Sequence, residues 1–334
     1  MSDVIVQTSP SLALIKYWGK VPDRVNVPAT ASIAVGLHDL RTVTRITPSS
    51  STHRDTVVIG GDEQPLHHFT TVIETMRSRA TQLGVRHAHD PILVESRNSF
   101  PTAAGIASSS SGFAALVLAL NEWWELSLPT EELSAVARSG SGSAARSVYG
   151  GFTHLDAGAE SARPLYDGDW WADLRILVAI TDTGKKSIGS RAAMERTRRT
   201  SPYYEAWVTD ARSVAANALD ALAERSLDLL GPLMRASYLR MVGTSIAASP
   251  PVMYWLPASV GVIHACESLR NDGCVAWETM DAGPQVKILT QERDVDAVRQ
   301  AVGAVHGVQQ VLVSRIGGDP VIQQGRVNQG ETVP

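Results

Sequence analysis

The pattern of apolar and polar positions along the chain predicts a mixed α and β protein. Short runs rich in Val, Ile and Leu predict strands over residues 4–7, 42–46, 57–59, 92–95, 152–155, 174–180, 286–289 and 311–314. Apolar residues at helical spacing predict helices over residues 68–83, 110–124, 130–138, 203–224, 232–241, 259–272 and 295–305. Strands dominate the first part and helices the second, which predicts an α+β fold of two lobes.

Local signals refine these boundaries. Gly231-Pro232 predicts a break followed by a new helix, because proline is tolerated in the first helical turn. Thr130 precedes two glutamates, which predicts a helix with Thr130 as its N-cap and acids in its first turn. The apolar run that ends at Ile180 gives way to a polar segment. This change places the division between an N-terminal lobe, 1–182, and a C-terminal lobe, 183–334.

Composition excludes several classes of protein. Hydrophobic residues make up 44% of the chain and charged residues 19%, so a core is available and global disorder is excluded. The 30 Lys and Arg against 34 Asp and Glu give a net charge of −4. This balance predicts no general attraction to nucleic acid or to an anionic membrane. Any anionic ligand must therefore be bound by locally placed donors.

Cysteine content and the apolar segments bear on the compartment. The two cysteines exclude a disulfide framework and a Cys-rich zinc module. The first ten residues lack the pattern of a secretory signal. The most apolar helical stretch, 113–120, is much shorter than the roughly 20 residues that cross a membrane. We therefore expect a cytoplasmic protein without a membrane span.

The strongest local signal for chemistry is Phe100-Pro-Thr-Ala-Ala-Gly-Ile-Ala-Ser-Ser-Ser-Ser-Gly112. It follows a predicted strand and leads into an apolar helix. Small residues let the backbone approach a ligand closely, and the free N–H groups of a helix start favour an anion. The segment is not a Walker loop, because no Gly-Lys-Ser/Thr follows. It suits nucleotide phosphates, but a helix start that only packs tightly would have the same composition.

Three further segments offer cations among glycine and hydroxyl residues. Ser139-Gly-Ser-Gly-Ser-Ala-Ala-Arg-Ser147 contains one arginine, which could bind a carboxylate or phosphate through two parallel hydrogen bonds. Lys16-Tyr-Trp-Gly-Lys20 places two lysines around two aromatic rings, and 182–191 contains three cations. Each segment suits anion binding. Taken alone, each also fits a solvated loop or a strand end with lysines that reach into solvent.

A single carboxylate precedes a rigid turn in Met280-Asp-Ala-Gly-Pro284. An aspartate shortly before Gly-Pro is most often a turn residue. A carboxylate held on a rigid turn could equally serve as a general base.

Together these segments resemble mevalonate diphosphate decarboxylases, which belong to the GHMP kinase superfamily. The similarity extends from Ala13 to about Leu289, with the motifs in the same order. The resemblance implies the two-lobed GHMP α+β fold, with the active site in the cleft between the lobes. It also implies an ATP- and Mg²⁺-dependent lyase of the mevalonate pathway. Such an enzyme phosphorylates the substrate's tertiary 3-hydroxyl and then eliminates phosphate and CO₂, which yields isopentenyl diphosphate.

The resemblance implies four catalytic residues. Asp281 matches the base that accepts the proton of the 3-hydroxyl, and Lys16 matches a lysine that favours its ionised form. Arg146 matches the residue that binds the substrate carboxylate, and Ser109 matches the serine that faces the transferring phosphoryl group.

The remaining implied site residues bind the ends of the two substrates. Those expected around ATP are Asn98, Gly105, Ser108, Ser109, Ser110, Lys185, Lys186 and Ser190. Those expected around the phosphorylated mevalonate are Tyr17, Lys20, Ser141, Ser143, Arg146 and Arg191. The resemblance assigns no metal ligand, predicts a small-molecule partner only, and leaves room for a homodimer.

Four positions depart from the family pattern. Ser11 and Gln285 stand where the family usually has asparagine, and Ala34 and Gly36 stand where it has hydroxyl residues. These changes leave open a decarboxylase that acts on mevalonate 5-phosphate and yields isopentenyl phosphate. A kinase of the 3-hydroxyl that does not decarboxylate is a further alternative, against which Asp281, Arg146 and Lys16 argue. A protein that only binds ATP would not need Asp281.

Overall fold

In the computed structural model, residues 3–49, 54–100, 108–184 and 187–325 are described. They form three β-sheets and eight α-helices. The strands are β1 (Asp3–Thr8), β2 (Ser11–Ile15), β3 (Ser32–Gly36), β4 (Thr42–Pro48), β5 (Thr56–Ile59), β6 (Asp62–Glu63), β7 (Ile92–Asn98), β8 (Phe152–Leu155), β9 (Arg163–Tyr166), β10 (Leu174–Ile180), β11 (Trp277–Thr279), β12 (Val286–Gln291), β13 (Gln310–Ser314) and β14 (Val321–Gly325). The helices are α1 (Thr70–Gln82), α2 (Ser108–Trp123), α3 (Thr130–Gly140), α4 (Ser190–Thr200), α5 (Tyr204–Ala223), α6 (Leu227–Ile246), α7 (Pro257–Asn271) and α8 (Val295–Gly303).

The largest sheet has six strands in the order β14-β1-β4-β7-β5-β6. Helix α2 packs against β1 and β4, and helices α1 and α3 pack against α2. Because α2 has neighbours on several sides, all residues from 114 to 120 are buried. This packing fixes the N-terminal end of α2, which carries the serine-rich segment.

The two smaller sheets have the orders β2-β3-β8-β9 and β11-β12-β10-β13. Apolar side chains of β2, β3 and β10 form one core together with helices α5 and α6. Helix α6 contacts β2 as well as β11 and β12, so it connects the two sheets. The main-chain N–H of Lys16, just after β2, donates to Ser237 Oγ of α6 at 2.9 Å. The end of β2 is thereby held near the turn that precedes β12.

The mixed α+β architecture confirms the fold class expected from the sequence. Every predicted strand and helix is present, with shifts of a few residues at the ends. Strand β10 pairs with β12 and β13 of the C-terminal part. The lobe division between residues 182 and 183 stays a prediction. No helix among the described residues has the length and apolarity of a membrane-spanning helix.

Three expectations about helices were wrong. Pro232 lies inside α6, which begins at Leu227 with Ser226 as its N-cap. Pro232 is the sixth residue of the helix, so it follows the N-terminal residues whose N–H groups lack helical partners. Thr130 is the first helical residue, and Pro129 occupies the N-cap position without a side-chain hydrogen bond. Ser190 and Arg191, the last two residues of the segment 182–191 that was interpreted as a loop, instead begin helix α4, of which only Ala193 and Thr197 are buried.

Candidate active site

One cavity brings together most of the predicted site residues. It has a volume of about 550 Å³ and lies between the end of β2, the start of α2, the segment after α3, the start of α4 and the turn before β12. The predicted residues that line it are Lys16, Tyr17, Lys20, Ser108, Ser109, Ser141, Ser143, Arg146, Ser190, Arg191 and Asp281. Residues that are far apart in the sequence therefore share one surface.

Asp281 is held between two lysine side chains. Lys16 Nζ donates to Asp281 Oδ1 at 2.9 Å, and Lys287 Nζ donates to Asp281 Oδ2 at 3.0 Å. Both lysine side chains are 1% exposed, whereas the Asp281 side chain keeps 27% exposure. The carboxylate is thus fixed at both oxygens and still reachable from the cavity.

The two ammonium groups control the ionisation of this carboxylate. Burial by itself would raise the pKa of Asp281, but the charges and hydrogen bonds of Lys16 and Lys287 hold that pKa well below its usual range. Burial also lowers the pKa of Lys16 to about 8, against the opposing attraction of Asp281. Lys16 Nζ has a second acceptor in the carbonyl oxygen of Ala13, at 2.5 Å. Asp281 is consequently ionised, and the pKa of Lys16 is about 8.

Arg146 lies beside this centre with unused donor capacity. Its side chain is 2% exposed, and one guanidinium nitrogen donates to Ser32 Oγ of β3. Its Nε is buried and has no hydrogen-bond partner among the described residues. Burial lowers the pKa of Arg146 to about 10, which leaves it cationic at neutral pH. A buried guanidinium that lines a cavity and retains a free donor suits a carboxylate ligand.

The hydroxyls at the start of α2 divide into two groups. Ser108 and Ser109 line the cavity, and Ser109 Oγ lies 3.5 Å from Ser141 Oγ. Ser110 is fully buried: its Oγ lies 2.6 Å from Ser147 Oγ and donates to the carbonyl oxygen of Ser143 at 3.0 Å. Ser109 can therefore meet a phosphate. The hydroxyl of Ser110 connects α2 to the segment after α3, and the expected contact of this residue with ATP stays a prediction.

A second group of cations lines the cavity around Lys20 and Arg191. Lys20 Nζ donates to Asn26 Oδ1 at 2.5 Å, and Asn26 Nδ2 donates to the carbonyl oxygen of Ser139 at 2.7 Å. Burial, reinforced by the charge of Arg191, lowers the pKa of Lys20 to about 8. The guanidinium of Arg191 donates to the carbonyl oxygen of Gly140 at 3.4 Å. Both cations suit the phosphate tail of a substrate.

Tyr17 reaches the cavity because Gly142 has no side chain. A Cβ on Gly142 would lie only 2.6 Å from the Tyr17 hydroxyl oxygen. That hydroxyl is buried and has no hydrogen-bond partner among the described residues. It is therefore available to an oxygen atom of a ligand.

Of four further predicted residues, one does not line the cavity and three lie outside the described residues. Asn98 ends β7, where its Oδ1 accepts from Thr42 Oγ1 at 2.7 Å, and it is not among the residues that line the cavity. Its role toward ATP stays a prediction. Gly105, Lys185 and Lys186 lie outside the described residues.

Lys287 and Asn26 are among the residues of the site that the sequence analysis missed. Lys287 contacts Asp281, and Asn26 lines the cavity and connects Lys20 to Ser139. Asn26 had no motif around it. The rarity of lysine could have pointed to Lys287, because only five of the chain's 30 basic residues are lysines. The other four had all been assigned to the site from their motifs: Lys16, Lys20, Lys185 and Lys186.

The family departures mostly lie outside the cavity surface. Ala34, Gly36 and Gln285 are not among its lining residues, while Ser11 is. Gln285 Oε1 accepts from the main-chain N–H of Thr181 at 2.6 Å, and its Nε2 donates to the carbonyl oxygen of Asp182. This glutamine therefore connects the Asp281 turn to the end of β10. It bonds to Thr181 and Asp182 and does not line the cavity.

The cavity offers oxygen atoms rather than a preformed metal cage. No group of three His, Cys, Asp or Glu side chains that could hold a metal occurs in the part of the chain that the structure describes. The hydroxyls of Ser108 and Ser109 line the cavity. Such hard oxygen donors fit Mg²⁺, which usually keeps water ligands and is bound largely through substrate phosphates.

Family models match both halves of the chain. Residues 8–165 match a diphosphomevalonate decarboxylase-like N-terminal domain, and residues 176–331 match a mevalonate 5-diphosphate decarboxylase C-terminal domain. Among curated relatives, the diphosphomevalonate decarboxylase of Gibberella zeae is 31% identical over 322 residues. That alignment covers 90% of this chain and 83% of the relative.

Solved structures of similar proteins have the same fold. The mevalonate diphosphate decarboxylase of Staphylococcus aureus superimposes with a TM-score of 0.88 at 31% identity, over 96% of this chain and 98% of that chain. A structure of MDDEF in complex with MVAPP, AMPPCP and magnesium also has a TM-score of 0.88, at 30% identity. It covers 97% of this chain and 99% of that chain.

Proposed function

Since the chain belongs to the diphosphomevalonate decarboxylase family, we propose that it uses ATP to convert mevalonate 5-diphosphate into isopentenyl diphosphate, phosphate and CO₂. One observation supports this function above all: Asp281, ionised between two buried lysines, faces the same cavity as the buried cation Arg146. A base for an alcohol and a binding group for a carboxylate are the two elements that this reaction needs.

In the first step the substrate's 3-hydroxyl attacks the γ-phosphorus of ATP. An O–P bond forms, the bond between that phosphorus and the ADP oxygen breaks, and the hydroxyl proton moves to Asp281. A carboxylate is a weak base toward an alcohol, so proton transfer has to accompany bond formation to phosphorus. Lys16 contacts Asp281 and also lines the cavity. Its charge stabilises negative charge that develops on the phosphoryl oxygens.

In the second step the phosphorylated C3 oxygen leaves as phosphate. The C–C bond to the carboxylate breaks, its electron pair forms the new double bond, and CO₂ departs. Elimination requires the carboxylate to be oriented relative to the leaving group. Arg146 supplies a buried cation with an unused Nε donor for this purpose.

The cavity provides separate positions for the two phosphate groups of the reactants. Ser108 and Ser109 lie at the start of α2, where main-chain N–H groups and the helix dipole favour the phosphates of ATP. Lys20, Tyr17 and Arg191 would bind the 5-diphosphate. Mg²⁺ would be bound with the ATP phosphates near Ser108 and Ser109, and it would neutralise part of their charge.

A comparison of substrates tests this function. Purified protein with ATP and Mg²⁺ is given mevalonate, mevalonate 5-phosphate or mevalonate 5-diphosphate, and ADP, phosphate and CO₂ are followed together. We expect one equivalent of each product from the diphosphate and much slower turnover of the other two compounds. ADP release without CO₂ would indicate a kinase. Preference for the monophosphate would overturn the assigned substrate.

We also infer a cytoplasmic enzyme that acts as a homodimer. Cys266 and Cys274 are both free, which fits a reducing compartment. Cell fractionation tests the location. Sedimentation at several protein concentrations tests the assembly, and a single species of 35.8 kDa would exclude the dimer.

A further inference from the structure

We propose that Lys287 is a positioning residue for Asp281, which it holds from the buried side so that the carboxylate keeps one orientation toward the substrate. This inference rests on the proposed function, because it gives Asp281 the role of the base. Lys287 itself is not among the residues that line the cavity, whereas Asp281 and Lys16 are. Lys287 therefore acts on the reaction through Asp281.

The backbone around Lys287 is fixed on both sides. Strand β12 lies between β10 and β11, and Lys287 pairs with Val178 of β10 and Thr279 of β11. The Asp281 turn connects β11 to β12, so Asp281 and Lys287 belong to one hairpin. An inner strand cannot shift without breaking two rows of hydrogen bonds. The side chain of Lys287 therefore extends from a backbone that is held in place by both neighbouring strands.

Two contacts at different oxygens restrain the carboxylate. Lys16 reaches Oδ1 and Lys287 reaches Oδ2, at 2.9 and 3.0 Å. Rotation of the carboxylate about its Cβ–Cγ bond would weaken both contacts at once. With Lys16 alone, the group could turn about a single contact and present either oxygen. Proton transfer depends on such geometry, and a displacement of about 1 Å at a reacting group can cost roughly 10²-fold in rate.

The position itself argues against a lysine that serves packing alone. Its side chain is only 1% exposed, and Leu289, which lies on the same face of β12, is a fully buried apolar residue. An ammonium group in such surroundings is costly unless a charged partner compensates it. The chain otherwise uses arginine for most of its basic positions, since only five of 30 are lysines. Lysine carries a compact charge on a flexible side chain, so at this position it can reach a single oxygen of the carboxylate.

Three cations act on Asp281 from different elements. Lys16 follows β2 and Lys287 lies on β12, and both contact the carboxylate. Arg146 follows α3 and acts on Asp281 at longer range. The charge of Lys287 also contributes to the lowered pKa of Lys16, after the larger effect of burial. Removal of Lys287 should therefore raise the pKa of Lys16 above about 8.

The test compares Lys287→Met with a control that breaks a different buried ion pair. Arg270→Met removes a cation that pairs with Glu278 at 2.6 Å and stacks on Trp277 at 4.6 Å, both on β11, and it leaves the Asp281 contacts intact. Both variants should lower the melting temperature. For Lys287→Met we also expect kcat to fall about 10–100-fold, with less than a roughly threefold change in either KM. For Arg270→Met we expect kcat to stay within about threefold.

The pH profile separates positioning from a structural role. In the native protein kcat at saturating substrate should fall as the pH rises through about 8, where Lys16 loses its proton, whereas Lys20, with a similar pKa, acts on substrate binding. In Lys287→Met this limb should move upward, because a nearby positive charge is removed, and in Arg270→Met it should not move. If the methionine variant does not fold, Lys287→Gln, which keeps a donor but no charge, provides the same measurement.

A readout without turnover distinguishes this inference from the proposed function. Lysine labelled with ¹³C at Cε gives at most five signals, and the Lys16 signal is identified by its loss in Lys16→Gln. Its titration should move upward in the Lys287 variant. An unchanged titration together with an unchanged kcat would overturn the positioning role. A shifted titration in a protein that turns over no phosphorylated mevalonate would instead support the coupling and refute the proposed function.

Discussion

At the scale of single residues, Asp281 combines accessibility with restraint. Its side chain is 27% exposed, and both of its oxygens accept hydrogen bonds from buried lysines. A turn aspartate without a function would not need two buried cations, each of which costs desolvation energy. The geometry therefore favours a chemical role over a purely structural one.

We expect Asp281→Asn to lower kcat by about 10²–10⁴-fold, the usual contribution of a general base, while the Kd for ATP stays nearly constant. The amide has a similar shape but cannot accept the proton. Steady-state kinetics and ATP titration provide the measurement. Asp272→Asn, at the exposed end of α7, is the control. An Asp281→Asn protein with most of its kcat would make Asp281 a turn residue only.

Lys16 and Lys20 set an expected basic limit on activity. Burial lowers the pKa of each lysine from 10.5 to about 8. Above that pH both lysines lose their charge. Lys16 contacts Asp281, and Lys20 is expected to bind the phosphate tail. We therefore expect kcat/KM to fall as the pH rises through about 8. Initial rates in buffers of constant ionic strength measure this limb.

The same two lysines should make the folded protein more stable as the pH rises, although activity falls. Their pKa values are lower in the folded protein than in the unfolded chain, so the unfolded chain binds more protons between about pH 8 and 10.5. Their contribution to the free energy of unfolding thus rises with pH across that window. The activity loss above pH 8 should be reversible and should not follow a falling melting temperature. A parallel loss of both would point to unfolding.

The sequence predicted the residues that lie in motifs and missed those defined only by contacts. Lys16, Arg146 and Asp281 occur in segments that resemble the family, and the structure brings all three to one cavity. Lys287 belongs to the site through its hydrogen bond to Asp281, and Asn26 through its hydrogen bonds with Lys20 and Ser139. Ser110 shows the reverse case, because a motif position does not reveal which way a hydroxyl points.

At the scale of elements, the start of helix α2 separates two roles by the direction of neighbouring side chains. Ser109 is exposed to the cavity, and Ser110, one residue later, points into the protein. Successive residues of a helix point about 100° apart, so two adjacent serines can face different environments. One hydroxyl is available to a ligand, and the other links α2 to the segment that carries Ser143 and Ser147.

Matched alanine variants of these serines should give opposite results. Ser109→Ala should lower kcat by about 10²-fold with an unchanged melting temperature, because it removes a donor aimed at moving phosphoryl charge. Ser110→Ala should destabilise the protein by about 1–3 kcal/mol, because it leaves buried hydrogen-bond partners unsatisfied. Kinetics and thermal unfolding of both variants provide the measurement. A loss of ATP affinity in Ser109→Ala with normal kcat would contradict its role.

Strands β2 and β3 and helix α4 are among the elements that the sequence did not predict, and their burial patterns explain why. Strands β2 and β3 are buried at every residue, so they lack the alternation that marks a half-buried strand. Helix α4 has the opposite problem. Only Ala193 and Thr197 are buried, so its polar sequence has no apolar stripe. Packing against residues far away in the chain decides both cases, and a local pattern does not record it.

At the scale of the whole molecule, the cavity is a product of long-range folding. Lys16 and Asp281, which form a direct contact, are separated by 265 positions in the sequence. The cations proposed to bind the phosphate tail likewise come from different elements, since Lys20 follows β2 and Arg191 is the second residue of α4. Substrate binding should therefore depend on the relative placement of α4 and the N-terminal elements.

Arg191 offers the clearest test of that placement. Its guanidinium reaches from α4 to the carbonyl oxygen of Gly140 at the end of α3, at the edge of the cavity. Charged hydrogen bonds contribute roughly 1.5–3 kcal/mol each, and about 1.4 kcal/mol corresponds to tenfold in an equilibrium constant. We expect Arg191→Ala to lower kcat/KM for mevalonate 5-diphosphate at least about tenfold. The loss for mevalonate 5-phosphate should be smaller, because that compound lacks the outer phosphate.

The control is Arg199→Ala, which removes an exposed arginine from the same helix at a position that does not line the cavity. It should leave kcat/KM for both compounds within about threefold. Because both variants lose one positive charge, a difference between them reports the location of the charge rather than the net charge of the protein. Equal losses of kcat/KM in the two variants would show that Arg191 contributes only general electrostatic attraction. Equal losses with the two substrates in Arg191→Ala would show that Arg191 does not contact the outer phosphate.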